Sequence, residues 1–366
     1  MMTITNDIAS ELFSQNAASI FMKEDSVIFD IETTGFSAKT TQLYLIGAFY
    51  LVDGAPKLTQ WFADSPEAEA VVISTFFTFL QQFKTVIHYN GSGFDIPYLL
   101  AKCTRYNLPY SFESYISHDI FKETKGLHKL FHLENFKQKT VERFLGIERT
   151  DTCSGGELIN VYQQYLKTKD QELLQLLLLH NADDVRGLFA ILPMLSYTTL
   201  LHQQYEVTNL EINSLNTDYD LHKSEAVFTL HLESPIPKRV SIGNDLFYMT
   251  CYENTMKISA KIYSGELKYF YSNYKDYYYL PNEDQSIHKS VAFYVDKNFR
   301  TKAKAANCYS KKTGMFLAQY EEIVSPYFKI DYYDKILYFE LEDDFRSDKA
   351  LQKLYAAHIL KMLLTV

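Results

Sequence analysis

The residues best placed to do chemistry are carboxylates at short, regular spacing. In FDIETTGF, residues 29–36, Asp30 and Glu32 stand two apart at the end of the apolar run Val27-Ile28-Phe29. In an extended strand, residues i and i+2 share a face, so both side chains project together. Two anions held that close repel unless a cation lies between them, and a divalent metal ion is the usual one. Thr33-Thr34-Gly35 follows directly and suits a close backbone approach to a ligand, because glycine tolerates it. A second Asp-x-Glu, Asp170 and Glu172, falls in a polar helix entry and is assigned no chemistry.

Two further motifs extend the set. HYNGSGFDIPYLL, 88–100, places Asp95 at the start of a helix, two residues before Pro97. Proline suits a first helical turn, and a carboxylate there is favoured by free N–H groups and the helix dipole. A cap is the plain reading. Asp95 gains weight because it leaves the end of a strand in the same sheet as Asp30, where α/β ligand sites gather. HNADDV, 180–185, lies inside an apolar helix. His180 and Asp184, four apart, share a face there, whereas Asp183 is rotated away towards solvent or a neighbouring loop. A histidine on a leucine-rich helix reads first as a core residue. A buried aspartate one turn later is costly unless partnered, and a metal shared with Asp30 would partner it. Four acids holding two divalent ions suit in-line attack of water on a phosphodiester, with a histidine of near-neutral pKa taking the proton.

The elements that must position these groups alternate between strand and helix from 27 to about 197. Strands are expected at 27–31, about 43–51, 58–62, 85–89 and 115–119. A helix is expected over 66–83, another from about 94, then helices over 129–145, 155–168 and 171–195. Strands followed by helical crossovers indicate an α/β sandwich with a mixed sheet. After about 200 the composition changes: that stretch carries 19 of the 29 tyrosines. Alternating runs at 226–232, 246–252, 256–263 and 266–272, punctuated at Ser234-Pro235, Gly243-Asn244 and Ser264-Gly265, indicate hairpins, with a closing helix at 347–364. The expected domains are an N-terminal extension, 1–24, an α/β domain, 25–203, and a tyrosine-rich, β-rich α+β domain, 204–366.

Composition sets outer bounds. With 366 residues the chain can hold two cores, and 47% hydrophobic with 22% charged residues is ordinary for a globular protein. A net charge of −9 argues against a histone-like wrapping mode but leaves room for a local nucleic-acid groove. Cys103, Cys153, Cys251 and Cys308 are scattered without C-x-x-C, which suggests neither zinc nor a disulfide framework. The N-terminus has no basic start before an apolar core, and the most apolar run, Leu173 to Leu179, is far too short to span a bilayer. A cytoplasmic protein without membrane association is expected.

FDIETTGF, NGSGFDIPYL and HNADDV resemble the three motifs of the DEDD 3′–5′ exonucleases, which share an RNase H-like (DnaQ-like) fold. LGIERTDTCSGGELINVYQQY, 145–165, resembles the matching segment of the bacterial predicted exonucleases of the YprB type. The resemblance covers roughly 25–200. It implies Asp30, Glu32, Asp95 and Asp184 as ligands of two Mg²⁺ or Mn²⁺ ions, His180 as general base, and single-stranded ends of RNA or DNA as partner. In histidine-type members the histidine lies five residues before the last aspartate. Here it stands four before, at the spacing of the tyrosine-type members.

Other residues carry weaker signals. Asn90 and Phe94 flank the second motif and could line a pocket for a terminal nucleotide, with packing favoured for Phe94. Phe36 could wedge against a terminal base, and Thr33, Thr34 and Gly35 complete the expected substrate contacts. His118-Asp119 reads as structural, and Arg149 and Asp151 as a pair. Residues 289–312 hold seven Lys/Arg against Asp296, interleaved with Tyr294, Phe299 and Tyr309. Such a run reads first as a solvated face and second as a guide for nucleic acid. Tyr277-Tyr278-Tyr279 reads as sheet core and hairpin surface. The alternatives to an exonuclease are a non-catalytic nucleic-acid-binding or assembly module on the same fold, and a structure-specific endonuclease.

Overall fold

The computed structural model describes residues 1–7, 21–148, 155–217 and 220–364. The expected Arg149–Asp151 pair and Cys153 lie outside the described residues. The chain divides into two compact units: Met1–Thr198 with Ile236–Lys238, and Thr199–Pro235 with Arg239–Val366. Among the described residues, no helix is long and apolar enough to cross a membrane.

The first unit is built on strands β1 (Met2–Asp7), β2 (Ser26–Thr33), β3 (Leu43–Val52), β4 (Ala55–Phe62), β5 (Thr85–His88) and β6 (Ile116–Asp119), in the order β1-β4-β3-β2-β5-β6. β1 through β4 pair antiparallel, whereas β2, β5 and β6 are parallel. This is the mixed sheet expected from the strand and helix alternation. Asp53-Gly54, both at positive φ, closes the β3–β4 hairpin in the mirror-image turn that matches strand twist. A parallel partner for β2 needs a crossover, which helix α1 (Glu69–Leu80) provides. Val27, Phe29 and Ile31 of β2 enter a core with Val72, Phe76 and Leu80 of α1. Trp61, the single tryptophan, is 2% exposed and packs on Phe76 and Phe79. β1 is an edge strand paired with β4, where no element is expected from the sequence.

The longer helices that follow are α2 (Asp95–Arg105), α3 (Gln138–Leu145), α4 (Gly155–Thr168) and α5 (Gln171–Ala190), with short helical turns at Ile120–Thr124 and His128–Phe131. The single helix expected over 129–145 is split. His132 adopts a left-handed conformation, and Asn135 Oδ1 then accepts from Lys137 N and Thr140 Oγ1 to start α3 afresh. α5 ends before 195 because Pro193 offers no N–H to continue the ladder, and a 3₁₀ turn follows over Leu192–Tyr197.

The second unit is β-rich α+β. Strands β7 (Tyr205–Thr217), β8 (Asp220–Gly243) and β9 (Phe247–Phe270) are followed by β10 (Tyr277–Leu280), β11 (Gln285–His288) and β12 (Thr301–Lys302). β13 (Tyr309–Gln319), β14 (Tyr327–Phe328) and β15 (Leu337–Glu340) come next, then helix α6 (Lys349–Leu364). The large sheet runs β14-β15-β13-β9-β8-β7, and a small one runs β11-β10-β12. On α6 the fully buried Tyr355 donates to the Ala318 carbonyl at 2.7 Å amid Phe228, Phe339 and Phe345. The turn at Gly243-Asn244 is present, but β8 runs through Ser234-Pro235 and β9 through Ser264-Gly265. Pro235 is tolerated because β7 ends at Tyr205, paired with Leu232, and beyond it that edge of β8 has no partner in β7 needing an N–H.

Candidate active site

β2 leaves the core with Asp30 and Glu32 half-buried, paired across the ladder with Gly47 and Leu45 of β3. α5 crosses this face. A Cβ on Gly47 would lie 2.1 Å from Asn181 Oδ1 and 2.9 Å from Val185 Cγ2, so only glycine admits the helix there. Asn181 donates to Asp30 Oδ2 at 3.4 Å, and its own oxygen accepts from Gln60 Nε2 at 3.0 Å. One turn apart on α5, His180 Nε2 lies 3.2 Å from Asp184 Oδ2, and the close approach to β2 brings it to 3.7 Å from Glu32 Oε1. Ligand atoms of Glu32, His180 and Asp184 all lie within 4.8 Å of one another. Asp183 turns to Arg186 instead, at 3.5 Å. Further along, Gln138 of α3 donates to the Asp184 carbonyl at 2.9 Å and so fixes the helix from its other side.

Asp95 begins α2 and is buried, and it is not one of the three residues whose ligand atoms lie within 4.8 Å of one another. The Ile31 backbone, between Asp30 and Glu32, acts on its carboxyl and favours the charged form. β5 pairs with β2 only as far as Ile28, so β2 runs past its parallel neighbour before reaching these acids. Burial pushes the Asp95 carboxyl up to about 7, against the lowering effect of its own backbone and that of Ile31.

The register slips between Glu32 and Thr33, which leaves Tyr44 as the extra residue on β3. Such bulges re-aim side chains beside functional sites. Burial first, and the Glu32 carboxylate next, push the Tyr44 phenol far up, so it stays protonated. Its ring stacks on Tyr162 at 4.3 Å.

The loop after Glu32 is tightly held. Gly35 has φ +151°, and a Cβ there would meet Thr41 Cγ2 at 2.8 Å. Thr33 and Thr41 hydroxyls donate to the Gly35 carbonyl, and Thr34 Oγ1 accepts from Gln42 N. The Thr33 and Thr34 hydroxyls therefore shape the turn. Phe36 stands 92% exposed, edge-on to Phe94. Beneath the loop a fully buried pair joins α1 to α2, with Lys102 Nζ 2.7 Å from Glu69 Oε1. Lys102 also donates to the Thr41 carbonyl, and Glu69 accepts from Leu43 N and Tyr106 OH.

Asn90, exposed and left-handed at φ 58°, follows β5. Asp119 at the end of parallel β6 accepts from Asn90 N at 2.8 Å and Ser92 N at 3.1 Å. Asp119 thus organises the turn that leads to Asp95. Sequence reasoning passed over this role, and over Gly47, Tyr44, Asn181 and the Glu69–Lys102 pair. A glycine inside an otherwise apolar strand was the available signal for Gly47.

Oxygen-rich donors with one imidazole suit hard divalent cations such as Mg²⁺ or Mn²⁺, and Glu32, His180 and Asp184 form a group that could hold a metal ion. Residues 27–196, a little under half of the chain, match the family model of the RNase_H superfamily, and the mixed sheet with its helices is an RNase H-like fold. The chain is 24% identical over 226 residues to an uncharacterized protein, YprB, of Bacillus subtilis (strain 168), covering 61% of this chain. It spans 54% of that relative's length. Among solved structures it is similar to the family B DNA polymerase of the archaeon Pyrobaculum calidifontis: 13% identity, 69% of this chain and 35% of that one, TM-score 0.37. It is also similar to E. coli exonuclease I crystallised with an oligonucleotide: 11% identity, 56% and 54% covered, TM-score 0.32.

Proposed function

We propose that the protein is a metal-dependent 3′–5′ exonuclease acting on single-stranded nucleic-acid ends, with residues 25–203 as its catalytic domain. Asp30, Glu32, Asp95 and Asp184 would hold two Mg²⁺ or Mn²⁺ ions. What carries the reading is the convergence of Glu32, His180 and Asp184 within 4.8 Å, from a strand and a helix far apart in sequence. Bound ions would lower the pKa of the attacking water and stabilise charge on the leaving oxygen. His180 receives the proton of that water at Nε2, and the neighbouring Asp184 carboxylate stabilises the imidazolium. Phe36 stacks on the terminal base, while Asn90 and the backbone of Thr33, Thr34 and Gly35 line the nucleotide site.

Purified protein with Mg²⁺ or Mn²⁺ should release mononucleotides stepwise from the 3′ end of end-labelled oligonucleotides. Asp30→Ala should abolish release. Activity that survives this substitution sinks the assignment, and internal cuts as first products would mean an endonuclease.

One observation favours a second role for His180: its Nε2 lies close enough to both carboxylates to be a ligand itself. Calorimetric Mn²⁺ titration of His180→Ala separates the two. A lost base leaves affinity intact, whereas a lost ligand weakens it.

A further inference from the structure

The link between β11 and β12, residues 289–300, inverts the usual burial pattern. Its large apolar side chains point outward: Val291 is 58% exposed, Phe293 77%, Tyr294 86% and Phe299 55%. The positions it buries are small, with Ala292 fully covered and Ala303 just beyond nearly so. Burying Val and Phe side chains would stabilise the fold, so packing within the chain does not explain this arrangement. The lobe is nonetheless well tied down. Arg300 donates to the Ala292 carbonyl and stacks over the Tyr278 ring at 4.9 Å, and β10 holds β11 and β12 side by side.

Charge identifies the occupant. Of the seven cations in 289–312, Lys289 pairs with Asp276, Lys311 with Asp284, and Lys312 with Glu340 and Glu342. Lys297, Lys302 and Lys304 are exposed, and among the described residues none has a carboxylate within ion-pair distance. Exposed rings among unneutralised cations match a polyanion whose bases have free faces.

We infer that this lobe is a single-stranded nucleic-acid platform: Phe293, Tyr294 and Phe299 stack bases, and Lys297, Lys302 and Lys304 contact phosphates. It is a second binding surface on the same polymer and rests on the nuclease reading for the identity of that polymer.

The test uses the full chain carrying Asp30→Asn, so that the probe is not consumed, and a fluorescein-labelled oligo(dT) read by anisotropy over a range of salt. Adding Phe293→Ser with Tyr294→Ser should weaken binding about tenfold or more. Lys297→Ser with Lys302→Ser should flatten the salt dependence by about 0.7 in log–log slope per lost contact. In a separate variant, Phe293→Trp emission should be quenched as oligo(dT) saturates, against the buried Trp61. Unchanged affinity, slope and emission overturn the platform. So does loss of binding to phosphatidylglycerol vesicles with oligo(dT) binding intact, which would make the lobe a membrane contact. The parent chain's hydrolysis of thymidine 5′-monophosphate p-nitrophenyl ester is scored apart: its absence counts against the nuclease reading, not against the platform.

Discussion

Gly47 of β3 lies directly across the ladder from Asp30 of β2, and its missing side chain is what lets α5 reach the acids. Gly47→Ala would drive a methyl into Asn181 and Val185. We expect a loss of about 1–3 kcal/mol in stability from overpacking. A fall in turnover should accompany it, because His180 and Asp184 move with the helix. Thermal melts and single-turnover cleavage check this, and an unaltered cleavage rate would refute the coupling.

The Glu69–Lys102 pair is buried on both sides, so removing one partner strands the other charge. Lys102→Met should cost about 3–5 kcal/mol by denaturant titration. Glu69→Gln added to it should restore much of that. If the single variant is as stable as the double, the pair is not holding the loop.

Asp95 predicts a pH signature in chelator. Its folded value of about 7 stands above the ordinary 3.8, so between these values the folded chain keeps a proton that the unfolded chain has released. On this account the contribution of Asp95 is full below pH 3.8 and is lost as pH rises through about 7. Asp95→Asn should flatten that slope in melting curves, and divalent ions should stabilise the parent most at the alkaline end. A slope identical in parent and variant would exclude Asp95 as its source.

His180→Ala should lower cleavage by about 10²–10⁴ if the imidazole takes the proton. The acid limb of the rate profile should vanish in the residual activity. Retention of that limb would assign it to another group.

The motifs were legible because each carries its own local signal: period-two carboxylates on a strand, a first-turn acid before Pro97, an i, i+4 pair on a helix. The mixed sheet followed from the order of apolar runs and the helical crossovers between them. What stayed hidden depends on contacts distant in sequence. Nothing near Asn181 announces that it will meet Gly47 and Gln60, and Lys102 reads as an ordinary surface cation until α1 brings Glu69 beneath it. Strand breaks were over-read at Ser234-Pro235 and Ser264-Gly265, because punctuation residues end a strand only where a neighbour needs their N–H or their side chain.

Trp61 sits under α1 in the first unit, while 19 of the 29 tyrosines follow residue 200. Native fluorescence excited at the red edge therefore senses one half of the chain, and tyrosine absorbance is weighted to the other. A denaturant series followed with both optical channels would reveal whether the two halves melt as one cooperative body or in succession.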